Sequence, residues 1–195
     1  MASGIGGKTT KDMVLSLVPL ALVILAFAGL AGMCAFSPGG PTADLSTAPA
    51  VDAPAELARV AREVPFDVRD PKVPDGWRAN SFGVRPVSDT GAMDGPRAVR
   101  VGWLLPTGGY LRLSQSDAGE VDLAAMETAT LRPKPAGAVQ VDGVTWVHYP
   151  SVRDEPAWIA DVSGVRLLVT GSAPEADLRV LASAVLAARP LARER

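Results

Sequence analysis

Cysteine and histidine are nearly missing from this chain: each occurs once in 195 residues, as Cys34 and His148. A single cysteine cannot close an internal disulfide, and Cys34 sits inside an apolar run, so neither a disulfide framework nor thiolate chemistry belongs to the remainder. One histidine and one such cysteine cannot build a structural zinc site. A Ser-His-Asp or Cys-His arrangement would have to use His148, and with no G-x-S-x-G elbow its nucleophile would be an unmarked serine. Basic excess is absent as well. Lys and Arg number 19 against 21 Asp and Glu, a net charge of −2, which leaves nothing to neutralise a phosphate backbone. No nucleic-acid partner is expected, and no cofactor. Gly4-Ile5-Gly6-Gly7-Lys8-Thr9 has the tail of a phosphate loop, but Ala2 stands where its leading glycine belongs and no strand precedes it.

What the chain does have is one long apolar run, residues 13–36, without a charged side chain. As a helix it would be roughly 36 Å long, enough to cross a hydrocarbon layer of about 30 Å, and in lipid a single span must be helical. Lys8 and Lys11 precede it, and no cation follows until Arg59. That asymmetry puts residues 1–12 in the cytoplasm and the rest outside the cell membrane. The run is too long for a secretory signal, and Met33 occupies the small position before Cys34 that a lipoprotein box requires. A retained single-pass anchor is the expectation, with the lipid bilayer as its partner through residues 13–36. The pairs Ala28/Gly32 and Ala31/Ala35 have the small-xxx-small spacing by which two spans approach, a weak pointer to a homodimer.

Residues 37–53 are rich in Pro, Ala, Ser, Thr and Gly and read as a flexible linker. Residues 54–195 then form one extracytoplasmic domain. Leu57, Val60, Ala61 and Val64 share one helical face, with Asp52 or Ala53 at the cap and Pro54 in the first turn. Pro74-Asp75-Gly76 turns the chain into a strand over residues 77–84. Val99, Val101, Trp103 and Leu105 alternate along a second, and a third covers residues 110–115. Shifted by 55, residues 103–135 fall on 158–190 with identities that include Trp103/Trp158, Gly109/Gly164, Glu120/Glu175 and Asp122/Asp177. Each unit reads as strand, glycine turn, strand, helix, with Ser172-Ala173-Pro174-Glu175 as a capping box in the second. A further strand is expected over residues 144–149. The fold class is therefore α+β: one transmembrane helix, then a mostly antiparallel sheet of about six strands with helices on one face, in two β-β-β-α halves. Arg166 shares parity with Leu168, which calls for a bulge or an exposed side in the second hairpin.

Side chains with chemical capacity are few. Asp67, Asp70 and Asp75, and likewise Asp154 and Glu155, are near in sequence but fit no calcium-loop spacing. Glu120, Asp122, Glu175 and Asp177 favour the amino-terminal ends of helices by charge alone. No catalytic, cofactor or metal residue stands out. Trp77, Trp103, Trp146, His148 and Trp158 are weak candidates for ligand contact, with core packing as the competing role of the tryptophans.

The Lys-flanked span, Pro74-Asp75-Gly76-Trp77, Val101-Gly102-Trp103-Leu104 followed by Gly109-Tyr110, and the late Trp158 strand before a final helix together resemble the actinobacterial domain of unknown function 4245 family. The resemblance covers nearly the whole chain and implies a short cytoplasmic tail, one span and an extracytoplasmic domain, with no reaction to carry over. The expected function is a non-catalytic binding or scaffolding module of the bacterial cell envelope, meeting an envelope protein, lipid or glycan. The alternative is an envelope hydrolase or transferase using His148 with nearby carboxylates.

Overall fold

The structure, a computed structural model, describes residues 15, 17–24, 49–88 and 95–192. The chain separates into two units, Met1–Thr42 and Ala43–Arg195. In the first, residues 17–24 are helical (α1), and the apolar side chains described there are exposed, from Val18 at 48% to Leu15 at 75%. Among the described residues no helix is long and apolar enough to cross a membrane. The expected span over residues 13–36 lies for the most part outside them, as do the tail, Cys34 and most of the linker.

The second unit opens with a short helix, α2 (Ala53–Val60), whose start is fixed by local chemistry. Asp52 accepts a hydrogen bond from the Ala55 N–H at 3.1 Å, and Pro54 occupies an early position where its missing donor costs nothing. Seven strands follow: β1 (Arg78–Pro86), β2 (Arg97–Leu104), β3 (Tyr110–Ser116), β4 (Gly137–Val141), β5 (Val144–Tyr149), β6 (Ala157–Val162) and β7 (Val165–Gly171). They make one antiparallel sheet in the order β1-β2-β3-β7-β6-β5-β4, with helices α3 (Glu120–Thr128) after β3 and α4 (Glu175–Ala187) after β7. The expectation of about six strands missed β4. Its signal is the Asp142-Gly143 pair, whose φ values of 49° and 79° form the two-residue turn that joins β4 to β5; Ser163-Gly164 does the same between β6 and β7.

Helices lie on both faces of the sheet, not on one. Alternate residues of the central strands, Val101, Trp103, Leu111, Leu113, Leu167 and Val169, pack against α2 and α4. The opposite set, Ala98, Ile159, Leu168, Ala157 and Tyr149, packs against Leu123 and Ala124 of α3. The 55-residue repeat explains the miss. Leu113 and Leu168 correspond by sequence yet face opposite sides, and the hairpin loops differ, residues 105–109 against 163–164. The loops differ by three residues, an odd number, so Trp103 and Trp158 keep one face while β3 and β7, and the helices that follow them, turn to opposite ones. Arg166 needs no bulge: it points to the α3 side with Leu168 and pairs with Asp161 at 3.1 Å, while the one bulge in the sheet lies between Ala79 and Ser81 of β1.

Other local expectations shift by small amounts. α2 stops at Val60 instead of reaching Val64, although Val64 is still buried. The capping box at Ser172 does not form. Pro174 is the N-cap of α4 without a side-chain bond, and Ser172 is drawn to the start of β3, where its N–H donates to the Tyr110 carbonyl and its Oγ accepts from the Tyr110 N–H. Between α2 and β1 the chain crosses the α4 side, held there by the buried Gln115 amide. That amide accepts from the Arg69 N–H at 2.8 Å and donates to the Arg69 carbonyl at 2.9 Å. The Arg69 guanidinium in turn donates to the carbonyls of Leu186 and Ala188 at the end of α4.

Close approach of β3 and β7 requires a glycine at 171, where φ is 153° and a Cβ would collide with the Tyr110 carbonyl oxygen and the Leu111 backbone. Gly171→Ala should lower the urea midpoint by an amount equivalent to about 2 kcal/mol or more. Gly83→Ala, whose Cβ meets nothing within 4 Å, should stay within about 1 kcal/mol of the parent in the same titration.

Candidate functional site

On the α3 side, β1, β2 and β3 present small and polar residues in rows across the sheet. Ser81 pairs with Gly102 and Gly102 with Arg112; Gly83 pairs with Arg100 and Arg100 with Ser114. Gly102 leaves the space into which the Tyr110 ring lies down; a Cβ there would clash with the Tyr110 hydroxyl and with Ser81 Oγ. The result is a recess of about 230 Å³ lined by Ser81, Phe82, Gly83, Arg85, Arg100, Gly102, Tyr110 and Arg112.

One acidic residue organises it from behind. Glu127, in the last turn of α3 and fully buried, accepts from Arg112 Nη2 at 2.6 Å, from Arg100 Nη2 at 3.1 Å and from Ser114 Oγ at 2.6 Å. Arg100 Nε also lies 3.0 Å from Glu127 Oε1, but at an angle that makes it an ion-pair contact and not a hydrogen bond. Buried Arg112 Nε likewise has no hydrogen-bond partner. The Arg112 guanidinium stands 6.0 Å from the centre of the Tyr110 ring. Arg85, exposed on β1, is close enough to repel Arg100 and has no acidic partner among the described residues.

Two guanidiniums therefore share one carboxylate with a third, Arg85, nearby, and no lining residue is acidic. Burial holds Arg100 below the usual guanidinium range, with repulsion from Arg112 and Arg85 adding to it against the pull of Glu127. Burial acts the same way on Arg112, but the Glu127 carboxylate and the neighbouring Tyr110 oxygen outweigh it and leave its pKa raised. Both stay cationic. The arrangement holds two forked donors in place with donor capacity to spare, facing a small open space.

The residues singled out by sequence lie on the other face. Trp103, Trp146 and Trp158 are buried among the α2 and α4 side chains, and Trp146 is fully enclosed, its indole N–H unpartnered. Trp77, just before β1, is half-buried and shares a hollow of about 250 Å³ with Trp103, Pro54, Asp70 and Lys72. His148 on β5 is half-buried and sits in register beside Trp158, over which the Arg179 guanidinium stacks at 5.5 Å. Two larger concavities lie elsewhere on the domain. A shallow groove of about 650 Å³ runs between α4 and β4 past Lys72, Gln140, Asp142 and Ser183, and a hollow of about 510 Å³ lies between α3 and Val87. His148 lines none of these four. Among the described residues no three His, Cys, Asp or Glu side chains gather into a cluster that could hold a metal ion.

Sequence reasoning missed the arginine recess because its residues come from three strands and a helix. The parity was visible: Arg100 and Gly102 alternate with Val99, Val101 and Trp103, and Arg112 and Ser114 with Leu111 and Leu113. Alternation alone reads as a solvated face; only the placement of α3, which brings Glu127 to Arg100 and Arg112, turns it into an ordered charged one.

Sheet, helices and recess together define an α+β domain with a charge-lined concavity. Residues 6–185 match a family described as protein of unknown function (DUF4245), and the chain belongs to that family. No curated protein and no solved structure matches it.

Replacing Glu127 by Ala leaves two guanidiniums facing each other in a partly desolvated site and should cost about 3–5 kcal/mol in urea denaturation. The triple change Arg100→Met, Arg112→Leu, Glu127→Leu should cost markedly less in the same measurement.

On the same face, the buried Tyr149 hydroxyl donates to Glu120 Oε1 at 2.7 Å. Burial, and then that hydrogen bond, push its pKa from 10.0 to about 12. The unfolded chain loses this proton first, so stability should be intact below pH 9 and fall as pH rises from about 10 to about 12. Urea midpoints measured across that range should show the drop in the parent and a smaller one in Tyr149→Phe.

Proposed function

We propose that this chain is a membrane-anchored, non-catalytic binding or scaffolding module of the bacterial cell envelope, with its amino-terminal tail in the cytoplasm and residues 54–195 outside. The observation that carries the reading is the helical stretch at 17–24, in which every described residue is exposed and apolar side chains such as Leu20, Leu22 and Ile24 stand 57%, 62% and 59% open. A row of this kind is at home in lipid and costly in water. Supporting it are the charge-free run from 13 to 36, the lysines on one side only and the compact unit beyond residue 43. Binding is favoured over turnover because the best-formed charged site holds guanidiniums, a phenol and a serine hydroxyl, with no base beside that serine.

The test is fractionation with topology mapping of the full chain in a bacterial host. Alkaline carbonate should leave the protein in the membrane pellet, and protease added to spheroplasts should remove a tag placed after Arg195 while sparing one placed before Lys8. Release by carbonate, or a carboxy-terminal tag protected in intact spheroplasts, would overturn the reading.

A further inference from the structure

We infer that the recess between β1, β2 and β3 is a binding site for a phosphate group, the phosphoryl end of a monoester or diester. The inference rests on the reading of this chain as a binding module and adds what the module takes.

Charge is the first argument. Arg85, Arg100 and Arg112 against Glu127 leave two uncompensated positive charges around a space that no acidic side chain lines. Such crowding is costly unless an anion shares the space, and burial makes the cost larger. Geometry is the second. Glu127 uses one edge of each inner guanidinium, fixing the planes of Arg100 and Arg112, which remain 25% and 14% open toward the recess side. A fork held in this way is suited to an oxyanion with several oxygens, and neutral donors stand at the rim, where the Tyr110 hydroxyl and Ser81 Oγ lie 3.3 Å apart. Size is the third. At about 230 Å³ the space falls below the range of pockets for drug-sized molecules, so it takes a headgroup and not a whole nucleotide or sugar chain. The floor is the last: a side chain at Gly102 would displace Tyr110, and Gly83 leaves open space above the sheet that a large side chain there would occupy.

Gly83 supplies the cleanest probe, because Gly83→Leu fills the space without removing a charge, and Arg85→Ala removes the outer cation without touching the Glu127 network. Inorganic phosphate titrated by calorimetry into the full chain in nonionic detergent, at fixed ionic strength, should bind saturably at one site per chain. Arg85→Ala should weaken it about ten-fold and Gly83→Leu abolish it, with the thermal midpoints of both variants unchanged. Micelles doped with phosphatidylglycerol that displace the phosphate would assign the group to a lipid headgroup; displacement by glycerol phosphate alone would assign it to a soluble ester. No saturable binding of phosphate, binding that both variants retain, or acetate binding as tightly as phosphate would each overturn the assignment. None of these results bears on the fractionation and tag mapping, so the site and the location of the domain fail separately.

Discussion

The antiparallel pairing of β3 with β7 holds the domain together. Six residue pairs, from Leu111 opposite Gly171 to Ser116 opposite Arg166, join a three-stranded meander to a four-stranded one across 55 residues of sequence. Both strands are almost wholly buried on both faces, which is unusual for an antiparallel sheet with a solvated side and demands a cover on each. Every other feature answers that demand. α4, leaving β7, covers one face together with α2 and the crossing segment pinned by Gln115; α3, leaving β3, covers the other.

Coverage is unequal, and the inequality produces the recess. α3 is nine residues long and buries the middle of its face through Leu123 and Ala124, but it does not extend over the β1 edge. Where it stops, Glu127 reaches down to Arg100 and Arg112 and converts the exposed part of the sheet into an ordered charged surface. The opposite face has a second helix and three tryptophans, and is filled. Sheet edges are handled in a similar spirit: the Arg179 guanidinium donates to the Gln140 carbonyl of β4, and the Val51 N–H donates to the Ala79 carbonyl of β1.

Much of this was legible in advance. Alternation at Val99, Val101 and Trp103, the turn at Pro74-Asp75-Gly76, the cap at Asp52 (one of the two positions expected) and the Glu120 and Glu175 helix starts all appear where local chemistry puts them. Family membership was legible too, through turn and tryptophan signatures spread along the chain. β4 was overlooked because Gly137-Ala138-Val139-Gln140-Val141 is short and mixed, and only the Asp142-Gly143 turn marks it. The face of α3 was misjudged because an apparent repeat was taken to preserve sides, which hairpin loops differing by three residues do not allow for the strands that follow them. As for the site, the tryptophans and His148 drew notice as rare residues, and rarity led to the packed face; the arginines were common and went unremarked.

Residues near one another in sequence settled what near neighbours can settle: most of the strands and helices beyond residue 53, where turns fall, that one run is free of charge and that no thiol or histidine cluster exists. Those outcomes depend on steric and hydrogen-bonding preferences acting over a few residues, and a sequence displays them directly. Only the tertiary structure decided that β3 meets β7, that the two similar helices part to opposite faces, and that Arg85, Arg100, Arg112 and Glu127 converge. The physical reason is that charge, once buried, is governed by whatever the fold brings beside it, and four side chains drawn from three strands and one helix have no spacing that announces their meeting.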